Sequence, residues 1–144
     1  MPPFDEDDER GPAPAAVAEL RDAIAGADAV LIATPEYNGS VPGQLKNALD
    51  WASRPHATNA LRNKPVAVVG ASPGGFGAIW AQADLRRILA RIGARVVDRD
   101  LPVAHAHTLF HDDGRLVDDA VEAPLGDVVG ALLDAVRARE LVAA

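Results

Sequence analysis

The sequence has 144 residues, 49% of them hydrophobic, and a net charge of -7 from 14 basic and 21 acidic side chains, with no cysteine. That length suits one core rather than two, so a single domain over 1–144 is expected. The acidic balance excludes a nucleic-acid footprint, and the lack of thiols excludes disulfides, thiolate metal sites and cysteine nucleophiles, so redox chemistry would require a bound cofactor.

Met1 is followed by Pro2, Pro3 and the acidic run Asp5 to Glu9, where a signal peptide would need a basic and then an apolar stretch. The longest apolar run, Ala29 to Ala33, is far too short to span a bilayer. A cytoplasmic protein without a membrane partner is expected. Residues 1–13, acidic and rich in proline, predict an extended, solvated lead-in.

From Ala15, the spacing of Val17, Leu20 and Ile24 opposite Glu19, Arg21 and Asp22 predicts an amphipathic helix ending at Gly26. The apolar run from Asp28 to Thr34 is stopped by Pro35 and predicts a strand buried on both faces. Pro42 to Ser53 returns to helical spacing, and Pro65 to Gly70 is a second buried strand. A helix from about Ala78 to Ile92 follows, with Ile79, Leu85, Ile88, Leu89 and Ile92 as its core and Gly93 as its stop. Arg95 to Asp98 and Leu101 to Ala104 predict one short strand region, and Ala106 to Leu116 a loop turning at Asp113-Gly114. A final helix spans about Glu122 to Leu141, with Val128, Val129, Leu132, Leu133 and Val136 inside. Helices alternating with short apolar strands predict an α/β fold, a parallel sheet with helices on both faces. Ligands in such folds bind beyond the carboxyl ends of the strands.

Two unusual loops sit at those ends. Thr34-Pro-Glu-Tyr-Asn-Gly-Ser-Val-Pro-Gly43 sets a carboxylate, a phenol and an amide between two prolines, and Asn38-Gly39 suits positive φ. Gly70-Ala-Ser-Pro-Gly-Gly-Phe-Gly77 leads into a helix whose free N–H groups would receive an anion or a carbonyl oxygen. Each also reads as an ordinary tight connection, and both readings stay open. Phe76-Gly77 stands where a phosphate-binding Walker motif needs Lys and Ser or Thr, and the G-x-G-x-x-G fingerprint is absent. His105, His107 and His111 share a loop without firm metal-ligand spacing, the Asp5 to Glu9 run lacks the spaced ligands of a calcium loop, and Ser72 is outside any nucleophile elbow.

With Leu45-Lys-Asn-Ala-Leu-Asp-Trp51 downstream, these loops resemble the NAD(P)H-dependent FMN reductase and quinone reductase family, from about Leu20 to the final helix. The resemblance implies a three-layer flavodoxin-like fold and FMN lying between the two loops. Pro35, Glu36, Tyr37, Asn38 and Gly39 would line one side of its ring, mostly through backbone groups, and Ser72, Gly74, Gly75 and Phe76 the other. Hydride would pass from NADPH or NADH to the flavin, then on to a quinone, a free flavin, an azo compound or a metal oxyanion; no catalytic acid or base is assigned. The resemblance also implies a homodimer or homotetramer, with the helix from Pro42 as a subunit contact. Trp51 reads equally as part of that contact or as an internal anchor.

Members of the family begin with a strand, a G-S-x-R-x-x-S-x-N loop that grips the FMN phosphate, a helix and another strand, none of which precedes Met1 in this sequence. An N-terminally truncated sheet with reduced flavin affinity is therefore expected, leaving the Asp28 to Thr34 strand as an open edge. A gene start placed too late, a true truncation that pairs its edge with another chain, and a decayed remnant would each account for it. The intact loops favour the first. The alternative to an oxidoreductase is a flavin-free flavodoxin-like module acting in subunit association.

Overall fold

A computed structural model describes residues 1–117 and 119–143. The chain builds α1 (Ala15–Gly26), β1 (Val30–Thr34), α2 (Gly43–Ala52), β2 (Pro65–Ala71), α3 (Ile79–Ile92), β3 (Arg95–Val96), β4 (Pro102–Val103) and α4 (Glu122–Ala143). All strand pairs are parallel: β1 lies along β2 with Val30 opposite Val66 and Thr34 opposite Gly70, β3 pairs with the start of β2, and β4 with its end. The two short strands are thus one interrupted strand, as the apolar stretches predict, with Asp98 and Asp100 in the interruption both paired to Arg86.

Side chains alternate across a strand, and β2 divides the core accordingly. Val66 and Val68 pack with Ile24, Leu49, Leu85 and Leu89. Ala67 faces the other way, against Val128 and Leu132 of α4. Helices therefore cover both faces of a parallel sheet, the flavodoxin-like arrangement that the sequence predicts. Among the described residues, no helix is long and apolar enough to cross a membrane.

Two expectations need correction, one for a strand and one for the helices. Strand β1 is not buried on both faces: Leu31 is 44% exposed and Ala33 is exposed. Both lie on the α4 side of the sheet, where their partners Ala67 and Val69 are covered and they are not. Among the described residues, β1 pairs with β2 along one edge only. In the helices, Ile79, Val129 and Leu133 are exposed, because an apolar stripe wider than its neighbour leaves its flank in solvent.

The lead-in is largely exposed, and its first residues are also held against α2. Trp51 is 1% exposed and donates its indole N–H to Pro2 O at 3.0 Å, while Phe4 meets its ring edge-on at 5.0 Å. The Phe4 N–H bonds to Asn47 Oδ1 at 2.7 Å, and Arg54 pairs with Glu6 and Glu9. A 3-10 turn over Asp7–Arg10 follows. Trp51 is accordingly an internal anchor, its carbonyl taking two bonds from the Arg21 guanidinium at 3.1 and 2.8 Å. Lys46 and Asp50 form the surface pair that their spacing predicts.

Candidate functional site

Both unusual loops leave the carboxyl ends of neighbouring parallel strands, so the register that sets Thr34 beside Gly70 also sets the loops side by side. In the first, Tyr37 N–H bonds to Ser40 O at 3.0 Å and Ser40 N–H returns to Tyr37 O at 3.2 Å. Asn38 and Gly39 both have positive φ, at 53° and 74°. That is the type I′ turn for which Asn-Gly is the favoured pair. The turn holds Tyr37, 59% exposed, with Asn38 and Gly39 at the surface.

The second loop is braced from below. Ser72 N–H bonds to Val103 O, His105 N–H to Gly74 O, and Ala106 N–H to Ser72 O. The Ser72 hydroxyl oxygen accepts the Gly74 N–H at 3.1 Å. Gln82, 1% exposed, donates to Gly77 O at 3.1 Å and accepts the Leu101 N–H at 3.2 Å, riveting loop, helix and strand together. Sequence reading missed Gln82 as it missed Trp80, which joins Phe76 in an exposed aromatic pair with ring centroids 4.7 Å apart. Phe76-x-x-x-Trp80 is an i,i+4 spacing at a helix start, a signal the sequence did carry.

The start of α3 does not offer the free donors expected of it. Glu36 Oε2 accepts the N–H groups of both Trp80 and Ala81 at 3.0 Å, and the Ile79 N–H turns back to Phe76 O. The Glu36 carboxylate therefore caps a helix, which leaves its backbone as the part that could line a ligand. One turn further on, the Ser40 hydroxyl donates to Asp84 Oδ2 at 2.7 Å, and Arg87 donates to Asp84 Oδ1 at 3.1 Å.

These bonds hold the Asp84 carboxyl below the usual aspartate value, the Ser40 hydroxyl first and Arg87 after it. A carboxyl held low contributes stability that is complete above its unfolded value of about 3.9 and is lost as pH falls through the native value. Ser40→Ala is accordingly expected to weaken the protein most near neutrality and less at the lowest pH at which it stays folded, read as urea midpoints at the two pH values. An equal loss at both would mean that the bond carries no charge-dependent part.

Between the strand ends and α4 lies a cavity of about 500 Å³, lined by Thr34, Pro35, Ala71, Leu109, Phe110 and Leu125 among others, within the usual range for small-molecule pockets. Of the nine residues predicted to line a site, Pro35 borders it. Glu36, Tyr37, Asn38, Gly39, Ser72, Gly74, Gly75 and Phe76 do not line it; they lie in the two loops that leave the strand ends. His105, at φ 51°, sets its imidazole over Gly75. Among the described residues, no three His, Asp or Glu side chains converge as metal ligands would.

Exposed aromatic rings and glycine backbone offer stacking and close approach. The nine residues include no Lys or Arg, the N–H groups in the first turn of α3 are taken by Glu36 Oε2 and backbone carbonyls, and the neighbouring Arg87 is paired with Asp84.

Residues 1–108 match the family described as NADPH-dependent FMN reductase. The chain is 45% identical over 107 residues to an NAD(P)H-dependent FMN reductase of Pseudomonas aeruginosa, covering 74% of this chain and 57% of that protein. It is 42% identical over 121 residues to a quinone reductase of Pseudomonas putida, covering 82% and 64%. The chain thus spans 57% and 64% of the length of these relatives. Among solved structures, the flavoenzyme NAD(P)H:(acceptor) oxidoreductase FerB of Paracoccus denitrificans superposes with a TM-score of 0.80 at 38% identity, over 96% of this chain and 76% of that one. With residues 1–108, three quarters of its length, matched, the chain belongs to the NADPH-dependent FMN reductase family.

Proposed function

We propose that the chain is the ring-facing part of an FMN-dependent NAD(P)H oxidoreductase of the flavin or quinone reductase type, using NADPH or NADH and a quinone or similar acceptor. The observation that carries this is the pair of braced loops at adjacent strand ends, one turned by Asn38-Gly39 and the other carrying the Phe76–Trp80 aromatic pair. When bound, FMN supplies the hydride chemistry, and the protein binds and orients it. Tyr37, Asn38 and Gly39 would present one wall to the ring, with Pro35 at its base, and Ser72, Gly74, Gly75 and Phe76 the other. The Glu36 carboxylate belongs to the frame, not to the wall.

The reading includes one domain over 1–144, a cytoplasmic location where both nicotinamides are regenerated, and a homodimer or homotetramer. Exposed Leu31, Phe76, Trp80 and Leu133 are apolar surface of the kind a subunit contact uses. The second reading, a flavin-free module acting in subunit association, draws on the open edge of β1.

Titration of the chain with FMN and with lumiflavin, which has the ring but no phosphate, separates the two readings. Both flavins are expected to bind and to raise the melting temperature, with affinities within about threefold, because neither loop offers a charge-assisted phosphate contact. No binding of either would sink the oxidoreductase reading and leave the association module. FMN bound far more tightly than lumiflavin would reveal a phosphate seat outside the two loops.

A further inference from the structure

Helix α3 begins on an alanine. Ala78 is its N-cap, at φ 58°, and provides no side-chain acceptor for the first turn, although that position favours Ser, Thr, Asp or Asn. The missing acceptor comes from across the site, where Glu36 lies 44 and 45 positions earlier in sequence than Trp80 and Ala81, whose N–H groups it receives. A negative carboxylate at a helix start also meets the positive end of the helix dipole. The local cap found on most helices is here a link between two loops.

A second link runs in the opposite sense, from the Ser40 hydroxyl on the first loop to the Asp84 carboxylate on the helix. Glu36 and Ser40 flank the Asn38-Gly39 turn, so the turn is tied at both shoulders to the first two turns of α3. One donor to Glu36 is the backbone N–H of Trp80 itself, the residue whose ring packs on Phe76. Moving the carboxylate would therefore move both the turn and the aromatic pair.

Building on the flavin reading above, we propose that Glu36 is a positioning residue: its carboxylate sets the gap between the Tyr37–Gly39 turn and the Phe76–Trp80 pair, and thereby the affinity for the isoalloxazine ring. Glu36 acts through the N–H groups of Trp80 and Ala81, not by touching the ring. The amide oxygen of Gln reproduces the acceptor, whereas Ala removes it.

The experiment compares Glu36→Ala, Glu36→Gln and Ser40→Ala with the unsubstituted chain, measuring lumiflavin binding by equilibrium dialysis and iodide quenching of tryptophan emission. Trp51 is 1% exposed and Trp80 is 48% exposed, so iodide reports on Trp80. Glu36→Ala is expected to weaken lumiflavin binding about tenfold and to change the quenching of Trp80, while Glu36→Gln stays within about threefold of the unsubstituted chain. Ser40→Ala, which keeps the cap, should fall between them, and it carries the test alone if Glu36→Ala does not fold. Altered Trp80 quenching in Glu36→Ala with lumiflavin affinity within about twofold would overturn the proposal, reducing the cap to a structural bond. If the unsubstituted chain binds no lumiflavin, the flavin reading fails and takes this role with it, a result distinct from equal binding by both proteins.

Discussion

Gly77→Ala is expected to lower stability by about 3 kcal/mol or more, enough to remove much of the margin of an ordinary domain. Gly77 has φ 56°, and a Cβ built there would lie 2.5 Å from Pro102 C, 2.6 Å from Val103 N and 2.9 Å from Ala104 N. All three are backbone atoms of β4 and its continuation, so no side chain can swing aside. Relief would require β4 to leave the edge of β2, breaking the Ser72 N–H bond to Val103 O and disturbing the contact of Leu101 with Gln82. The positive φ itself costs an alanine only about 1–2 kcal/mol. Gly39→Ala isolates that smaller part, because Gly39 has φ 74° and a Cβ there meets nothing within 4 Å. Urea unfolding should give about 1 kcal/mol for Gly39→Ala and about threefold more for Gly77→Ala. Equal losses would mean that the second loop can lift from β4 at little cost, and the braced wall described above would not exist.

The contrast between these glycines shows what was legible in the sequence. Asn38-Gly39 predicts its own conformation, because the turn is local and both residues suit positive φ. Gly77 reads only as one more glycine at a helix start, since what forbids a side chain there is a strand 25 positions later in the chain. The same division runs through the fold. Apolar periodicity located every α-helix to within two residues or so, because it records which face of a segment is oily. It does not record what covers that face, so Leu31, Ile79, Val129 and Leu133 were assigned to the interior and lie at the surface.

At the candidate site, the residue types were legible and their partners were not. Glu36 is conspicuous between Pro35 and Tyr37, and its chemistry as an acceptor follows from its identity. That it would serve a helix start more than forty positions away depends on β1 and β2 lying side by side in register. Gln82 gave no warning, because a glutamine within an amphipathic helix reads as solvated. It is buried because Gly77 O and the Leu101 N–H satisfy its amide, as a buried polar group requires.

Trp51→Ala is the second large effect expected, about 3–5 kcal/mol, in line with truncation of a fully buried aromatic side chain. The loss has two origins that different variants separate. Removing the ring empties a site that is 1% exposed and takes away the surface on which the Phe4 ring rests at 5.0 Å. Removing only the indole N–H forfeits the bond to Pro2 O at 3.0 Å. Trp51→Phe keeps most of the packing and should cost about 1 kcal/mol from the hydrogen bond, plus a smaller amount for the reduced ring. The lead-in provides an independent readout. With the indole gone, Phe4 keeps its N–H bond to Asn47 but loses its aromatic partner, and Arg54, 5.5 Å from the Phe4 ring centre, loses an ordered neighbour. Chymotryptic cleavage after Phe4 should therefore speed up in Trp51→Ala under conditions where the rest of the chain resists. If stability falls by less than about 1 kcal/mol and cleavage after Phe4 is unchanged, Trp51 is not the anchor of the lead-in, and the outer face of α2 would be open to a partner.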